Sequence, residues 1–423
     1  MSGIAATERA GASAERAADP RTVGRETRRR DARPLRVCAV SFKVCWQDDS
    51  GRWMSSGGFP LQMSYIASLF DEMVLAVTRG EPQPGALPLP ESARVVPLRL
   101  PAGTDLRRKL SIAARLPYYS WKIARAMRGA DVVHVPLPGD IPLVALFIAL
   151  LARKRTIVRY GGAWHENART TMMNRFTIAC MRRFAGGRNV MLAAGEGAEP
   201  PARDVSWLFS TAVTRGELER VDAVPDRGLS DPPRLVCIGR LSQEKGVPTL
   251  LRALARLVDS GFRPLPRLEL IGDGPARAEL EALVRELGLE DRVTFAGQID
   301  RAALSRRLAR AELCVHPALT ESLSKAWLDA LAHGLPVIAS EVGSARAVFG
   351  TPGEHGWLVP PGDVDALAGE LRRVLGEPMD WAALRARCRA FVEHRTLESW
   401  SERIGERCAR QWGWTFTDGK LAP

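Results

Sequence analysis

Residues 317–340 read PALTESLSKAWLDALAHGLPVIAS, which is the pattern of a polar loop, a helix and a short apolar strand. Glu321 precedes the predicted helix, and Asp329 lies inside it, eight positions later. Two serines and Lys325 stand at the start of the helix. Because an α-helix rises about 1.5 Å per residue, we expect the two carboxylates to lie roughly 12 Å apart.

This separation is too long for the carboxylate pair of a typical glycosidase, which needs roughly 5 to 9.5 Å. It suits the two ends of one elongated ligand. The free N–H groups at the helix start would bind an anion such as a diphosphate between those ends. A nucleotide sugar has this order of sugar, diphosphate and ribose. The alternative is a surface helix with two unrelated acids, since acids near a helix start complement its dipole.

The composition points to a two-domain globular protein. A chain of 423 residues with 46% hydrophobic content predicts two domains of about 150 to 200 residues each. Its seven cysteines show no CxxC or Cys/His metal spacing, and we expect neither a bound metal nor a cofactor. Cys237 and Cys314 lie in apolar strand-like runs, so we predict buried free thiols and a reducing cytoplasm.

The net charge of +12 is concentrated in a way that suggests a membrane rather than a nucleic acid. Residues 106–128 carry seven basic residues and no acid, interleaved with Tyr118, Tyr119 and Trp121. This pattern suits an anionic membrane surface or an acidic acceptor. The apolar run 141–152 is shorter than the roughly 20 residues that span a bilayer, so a buried helix is equally expected there.

We therefore expect a cytoplasmic protein that is at most peripheral on the inner face of the plasma membrane. The N-terminus has no apolar signal-peptide core, and residues 1–34 are predicted to be a disordered basic tail.

The first half of the chain alternates strands and helices. A strand at Leu35–Ser41 is followed by a loop that ends in Gly57-Gly58 and then by a helix at Phe59–Phe70. A Gly-Gly pair lets the backbone approach a ligand closely, although a simple tight turn uses the same residues. Further strands are predicted at Met73–Thr78, Val95–Leu98, Val132–Val135 and Thr156–Tyr160. The alternation predicts a mostly parallel, doubly wound sheet.

The second half repeats this architecture more clearly. Strands are predicted at Leu235–Ile238, Leu268–Ile271, Val293–Phe295, Leu313–His316 and Val337–Ala339, with helices between them. The predicted division is a tail at 1–34, a first domain at 35–215, a second domain at 216–378, and C-terminal helices at 379–423 that pack back on the first domain.

Ligands of doubly wound sheets bind at the carboxyl ends of the strands. The loop GRLSQEKG at 239–246 follows a strand and supplies Arg240 and Lys245 at that edge. Arginine binds phosphate in bidentate fashion, and lysine offers a mobile point charge. The alternative is a pair of solvated loop cations.

Five short segments in order resemble the retaining GT-B glycosyltransferases of family 4. They are GRLSQEKG at 239–246, GDGP at 272–275, FAG at 295–297, ESLSKAWLDA at 321–330 and GLP at 334–336. The resemblance covers roughly residues 235–375. It implies an α/β GT-B fold, in which two doubly wound Rossmann-like domains face each other across a cleft. It also implies metal-independent transfer of a sugar from a nucleotide-sugar donor to a glycan or lipid-linked acceptor in cell-envelope or exopolysaccharide synthesis.

The resemblance also implies roles for single residues. Glu321 would contact the hydroxyls of the donor sugar as a catalytic residue. Asp329 stands where the family usually has a second glutamate that binds ribose, and its side chain is one methylene shorter. The implied donor-binding set is Arg240, Lys245, Gly57, Gly58, Gly272, Leu323, Ser324 and Asp329.

The first domain of this family often has a His-Gly pair at the end of a strand in the cleft. The matching pair here is Tyr160-Gly161, and the histidine, His165, comes five residues later. We predict His165 as a second catalytic residue, while a purely structural histidine is the alternative.

Three other functions stay open from the sequence. A GT-B phosphorylase or disaccharide synthase would use a soluble acceptor. A basic nucleic-acid-binding protein would explain the charge, but no recognised motif supports it. A degenerate, non-catalytic member of the family is suggested by Asp329 and the displaced His165.

Overall fold

The computed structural model describes residues 33–103, 105–164, 170–221 and 228–423, without the side chains at 105 and 106. The predicted tail lies almost entirely outside these ranges.

The first sheet is built around β1. Its strands are β1 (Arg36–Gln47), β2 (Trp53–Ser56), β3 (Glu72–Arg79), β4 (Ala86–Pro88), β5 (Ala93–Arg99), β6 (Val132–Leu137), β7 (Arg155–Tyr160), β8 (Asn189–Ala194) and β9 (Val205–Leu208). β3 and β6 pair in parallel with opposite edges of β1, so Val37 lies between Met73 and Val132. β5 extends the sheet beyond β3, and β7 to β9 extend it beyond β6. β2 pairs antiparallel with the end of β1.

Helices cover the first sheet, which explains why its strands are apolar on both faces. They are α1 (Phe59–Ser68), α2 (Asp105–Ala114), α3 (Leu116–Ala126), α4 (Asp140–Leu151), α5 (Met172–Phe184) and α6 (Arg215–Arg220). α4 buries Ile141, Leu146 and Ala149, so the apolar run is a packed helix, as one of the two alternatives predicted. None of the helices in the described ranges is both long and apolar enough to cross a membrane.

The second sheet is entirely parallel. It contains β10 (Arg234–Ile238), β11 (Arg267–Ile271), β12 (Val293–Gly297), β13 (Leu313–His316), β14 (Val337–Ser340) and β15 (Gly356–Val359). β10 is central, with β11 on one side and β13 on the other. Its helices are α7 (Val247–Asp259), α8 (Arg277–Glu286), α9 (Arg301–Leu308), α10 (Lys325–Ala332), α11 (Ala345–Phe349) and α12 (Val364–Gly376). Each of the five strands predicted here is present.

The C-terminal segment connects the two halves. It consists of α13 (Trp381–Glu393), α14 (Leu397–Trp412), β16 (Thr415–Thr417) and β17 (Lys420–Ala422). α13 packs against α10, whereas α14 packs against α1 and β8 of the first half. Gln411 at the end of α14 donates a hydrogen bond to the Asn189 carbonyl at 2.8 Å.

Each sheet has a switch point, where the strand order reverses and the connections from two neighbouring parallel strands lead to opposite sides of the sheet. The switch point of the first sheet lies between β1 and β6, and that of the second lies between β10 and β13. Crevices form there, outside the carboxyl ends of the strands. The Ser322 hydroxyl donates to the Gly161 carbonyl across the gap at 3.3 Å. The two crevices, called here the first and the second crevice, therefore open into one cleft.

Candidate active site

The second crevice brings together two residues that the sequence predicted in separate loops. Lys245 Nζ donates to Glu321 Oε2 at 2.5 Å, and their side chains are 22% and 16% exposed. Lys245 ends a 3-10 turn and is followed by Gly246 at a φ of 63°. A Cβ on Gly246 would lie 2.0 Å from the Pro317 carbonyl oxygen. The loop that carries Lys245 can therefore press against the strand end that leads to Glu321 only because residue 246 is glycine.

Glu321 is a carboxylate at neutral pH. Burial by itself raises the pKa of this carboxyl group, but the charge and hydrogen bond of Lys245, together with His316 and the Ser322 N–H, outweigh burial and lower the net pKa. Removing either partner of this partly buried pair would leave the charge of the other uncompensated, which is destabilising.

His316 is a site residue that the sequence analysis did not assign. It ends β13, and its Nε2 lies 4.0 Å from Glu321 Oε2. Burial lowers the pKa of His316 to about 4, so the ring is neutral at pH 7. Nε2 also lies 3.2 Å from the Ser324 hydroxyl. In the sequence, this role is indicated only by the position of His316 at the end of a predicted strand that neighbours the central strand.

α10 begins at Lys325, four residues after Glu321 of the second crevice. Ser324 is the N-cap, and no side chain caps the helix. Leu323 and Ser324 are buried, with 4% and 6% exposure. The first-turn N–H groups of a helix have no intrahelical partner, so they are suited to an anion.

Arg240 and Gly272 lie at neighbouring strand ends of the same crevice. Arg240 is exposed. Position 272 requires glycine for a structural reason, because a Cβ there would lie 1.9 Å from the Gly239 carbonyl oxygen. The glycine allows the ends of β10 and β11 to approach next to Arg240.

Asp329 is held by a partner that the sequence did not indicate. Its Oδ1 accepts from Arg301 Nη2 at 3.0 Å, and Arg301 also donates to Glu217 at 2.5 Å. Burial lowers the pKa of Arg301, but the two carboxylates outweigh it and raise the net pKa. These three residues line a cavity of about 600 Å³. Asp329 is thus positioned by a charge network that joins α6, α9 and α10.

The first crevice contains Gly58, Tyr160 and Gly161 in the lining of a cavity of about 330 Å³. An ideal Cβ on Gly58 would lie 3.5 Å from Lys325 Nζ, whereas a Cβ on Gly57 would meet open space. Lys43, Arg159 and Lys325 line the same cavity, although the sequence analysis assigned no role to them. His165 lies outside the described residues, so its role stays a prediction.

The basic segment forms α2 and α3, and only part of its aromatic pattern is exposed. Tyr119 is fully buried and donates to the Arg99 carbonyl at 2.9 Å, so it does not face solvent as expected. Trp121 is 59% exposed, with Arg125 at 5.9 Å from its ring centre. Across the described ranges, no cluster of three or more His, Cys, Asp or Glu side chains is placed to hold a metal ion.

The seven cysteines are all buried free thiols, as the apolar context of Cys237 and Cys314 predicted.

Comparisons with known proteins agree on the second half of the chain. Residues 232–377 match the family described as Glycosyl transferases group 1. The alpha-D-kanosaminyltransferase of Streptomyces kanamyceticus is 32% identical over 162 residues, which cover 38% of this chain and 41% of that protein. A GDP-mannose-dependent alpha-(1-6)-phosphatidylinositol monomannoside mannosyltransferase of Mycolicibacterium smegmatis is 32% identical over 192 residues, covering 43% and 48%. The chain thus spans less than half the length of these relatives.

A solved structure extends the likeness to the whole fold. The sucrose-phosphate synthase from Thermosynechococcus elongatus superposes with a TM-score of 0.66 at 22% identity, over 88% of this chain and 98% of that one. The five ordered sequence motifs all lie within the matched residues 232–377. The second domain of this chain is therefore similar to the group 1 glycosyltransferases over residues 232–377, and its two doubly wound domains form the GT-B fold.

Proposed function

We propose that this protein is a retaining glycosyltransferase. It moves a sugar from a nucleotide-sugar donor to a glycan or lipid-linked acceptor in cell-envelope or exopolysaccharide synthesis. The observation that carries the proposal is the Lys245–Glu321 pair at 2.5 Å, set beside the uncapped start of α10 in the second crevice. It combines a cation for a phosphate, N–H groups for a phosphate and a carboxylate for sugar hydroxyls.

The donor diphosphate is proposed to bind Arg240, Lys245 and the N–H groups of Leu323 and Ser324. Lys245 would then exchange its contact with Glu321 for the phosphate, which leaves Glu321 free to accept hydrogen bonds from the sugar. Fixed positive groups of this kind stabilise the charge that develops on a departing diphosphate.

Asp329 is proposed to contact the ribose while Arg301 holds its other side. One oxygen of Asp329 accepts from Arg301, so the second oxygen is the proposed ribose acceptor.

In the proposed reaction, the acceptor hydroxyl attacks the anomeric carbon from the face that the diphosphate leaves. The bond from that carbon to the diphosphate oxygen breaks as the new glycosidic bond forms, and the leaving oxygen takes the hydroxyl proton. This course retains the configuration. Closure of the cleft would exclude water and limit hydrolysis of the donor.

The acceptor side is proposed to meet an anionic membrane surface through α2 and α3. Leu110 and Trp121 are 61% and 59% exposed there, among the basic residues of the segment. Basic and apolar side chains together favour peripheral attachment. Co-sedimentation with anionic and with neutral vesicles tests this part. Equal recovery with both would favour a soluble acceptor, as in a disaccharide synthase or phosphorylase.

The donor assignment is tested by thermal unfolding with a panel of uridine, guanosine, thymidine and adenosine diphosphate sugars. We expect one nucleotide to stabilise the protein by about 2.7 kcal/mol at a hundredfold excess over its dissociation constant. The Arg240→Ala/Lys245→Ala variant should lose this stabilisation and the transfer activity. An Arg252→Ala/Arg285→Ala variant, which removes two exposed arginines from α7 and α8, is the matched control. Normal binding and turnover in the first variant would refute the assignment.

A further inference from the structure

The cavity of the first crevice is lined by residues of β1, β6, β7, β8 and β9, by α1 and α14, and by the start of α10 from the opposite domain. Lys43 belongs to the outer part of β1, Arg159 to β7, and Lys325 is the first residue of α10. All three line the same cavity of about 330 Å³. The fold therefore brings together three cationic side chains from sequence positions as far apart as 43 and 325.

No carboxylate balances this charge within the described part of the cavity. Its other described lining residues are apolar or neutral, and none of them is acidic. Among the described residues, none of the three cations forms an ion pair, unlike Lys245 in the adjoining crevice.

Arg159 is oriented by neutral groups alone in the described structure. Its guanidinium lies over the ring of Trp400, with 4.6 Å to the ring centre. It reaches Gln62 Oε1 at 3.4 Å and His134 Nε2 at 3.4 Å, both at the long end of hydrogen-bond distances. Trp400 and His134 are fully buried, so the guanidinium is held firmly while its charge remains uncompensated.

Such a cluster is unfavourable without a bound anion, because burial and like charges both disfavour the protonated forms. Burial and the charges of Arg159, Lys43 and Arg301 lower the pKa of Lys325 to about 8, although the carboxylate of Asp329, one turn along α10, acts in the opposite direction. Burial lowers the pKa of Arg159 to about 10. Desolvation in the cleft and the charge of Arg240 lower the pKa of Lys43.

We propose that this cavity is an acceptor subsite that binds an anionic group, a phosphate or a carboxylate carried by the acceptor. This inference rests on the proposed transferase function and narrows its acceptor to an anionic class. The cavity adjoins the reacting centre, because the Gly161 carbonyl in its lining accepts from Ser322, the residue after Glu321. An anion held by Lys43, Arg159 and Lys325 would direct a neighbouring hydroxyl of the same molecule toward the donor sugar.

The direct test is binding of inorganic phosphate, measured by calorimetry and by thermal unfolding. Phosphate can also occupy the donor site, so the Arg240→Gln/Lys245→Gln variant isolates the first crevice and should still bind it. The Lys43→Gln/Lys325→Gln variant should bind phosphate at the first crevice at least tenfold more weakly. The Arg252→Gln/Arg285→Gln variant, with the same change of net charge on exposed helices, should bind as the wild type does.

Thermal unfolding without an anion shows whether weaker phosphate binding by the variant is caused by a failure to fold. Lys43→Gln/Lys325→Gln removes mutually repelling charges, so its melting temperature should equal or exceed that of the wild type. Phosphate binding that survives in this variant but disappears in Arg240→Gln/Lys245→Gln would overturn the proposal, since the anion would then belong to the donor site alone.

Small compounds that resemble an acceptor can distinguish whether the bound anion is a phosphate or a carboxylate. Methyl glucoside 6-phosphate and methyl glucuronide should each compete with phosphate if their class is accepted, and neutral methyl glucoside should not. Nucleotide binding provides the independent check on the proposed function. If Lys43→Gln/Lys325→Gln retains nucleotide binding but binds phosphate normally, only the acceptor proposal fails. If the wild type binds no nucleotide, the transferase proposal fails, while the phosphate titration still decides whether the subsite exists.

Discussion

Each crevice of the cleft lies at the switch point of a doubly wound sheet, but the positive charge is balanced in one and not in the other. In the second crevice the cation Lys245 is neutralised by Glu321 at 2.5 Å. In the first crevice Lys43, Arg159 and Lys325 converge without a described acidic neighbour in the cavity lining. Lys245 in the second crevice therefore has a carboxylate partner when no ligand is bound, whereas the three cations of the first crevice have no acidic partner among the described lining residues. This contrast is the basis for proposing an anion in the first crevice.

Removing either member of the Lys245–Glu321 pair should have the strongest consequence for activity. Glu321→Ala or Lys245→Ala should lower transfer by about a thousandfold, since each removes a group that stabilises the transition state. The activity is measured with the nucleotide sugar that stabilises the wild type most. Retained far-ultraviolet circular dichroism is the control for folding. Turnover within tenfold of the wild type would remove Glu321 and Lys245 from the proposed mechanism.

The second prediction tests how the backbone positions the pair. Gly246→Ala should lower the free energy of unfolding by about 2 kcal/mol or more, because it combines a left-handed backbone with a collision against the Pro317 carbonyl. Gly288→Ala is a matched control, since Gly288 has the same φ of 63° with nothing within 4 Å of the added Cβ. Denaturant unfolding measures both. Equal destabilisation would mean that the contact with Pro317 contributes nothing.

Anion binding in the first crevice should depend on pH, although this effect is weaker than the two above. Lys325, with a pKa of about 8, is protonated below that pH and loses its charge as the pH rises through it. Affinity for sulfate, which does not titrate in this range, should therefore fall roughly tenfold between pH 7 and 9. Calorimetry of the Arg240→Gln/Lys245→Gln variant measures the first crevice alone. Adding Lys325→Gln should flatten the profile, and an unchanged slope would exclude Lys325 as the titrating group.

Much of the second domain could be predicted from the sequence because its signals are local. Apolar runs such as Leu235–Ile238 form the strands that were expected, and the loops after them reach the expected edge of the sheet. Lys245 and Glu321 could be assigned to one site because β10 and β13 are adjacent in such a sheet.

Other site residues could not be predicted, because their partners are distant in sequence. Arg301 lies 28 positions before Asp329 and holds it from another helix. Tyr119 belongs to an amphipathic basic pattern, yet its hydroxyl finds the Arg99 carbonyl and its ring is buried. His316 acquires its role only from the proximity of Glu321 and Ser324.

The strand and helix pattern, the two doubly wound halves and the order of the family-like motifs can be read from the sequence alone, because periodicity and turn chemistry act over a few residues. The electrostatics of the cleft, by contrast, follow from the three-dimensional arrangement of its walls. The pairing of Lys245 with Glu321 and the convergence of Lys43, Arg159 and Lys325 depend on strand order and on how the two domains close over one another. Charge balance in a cavity is a sum over all its walls, and no single segment of the chain contains that sum.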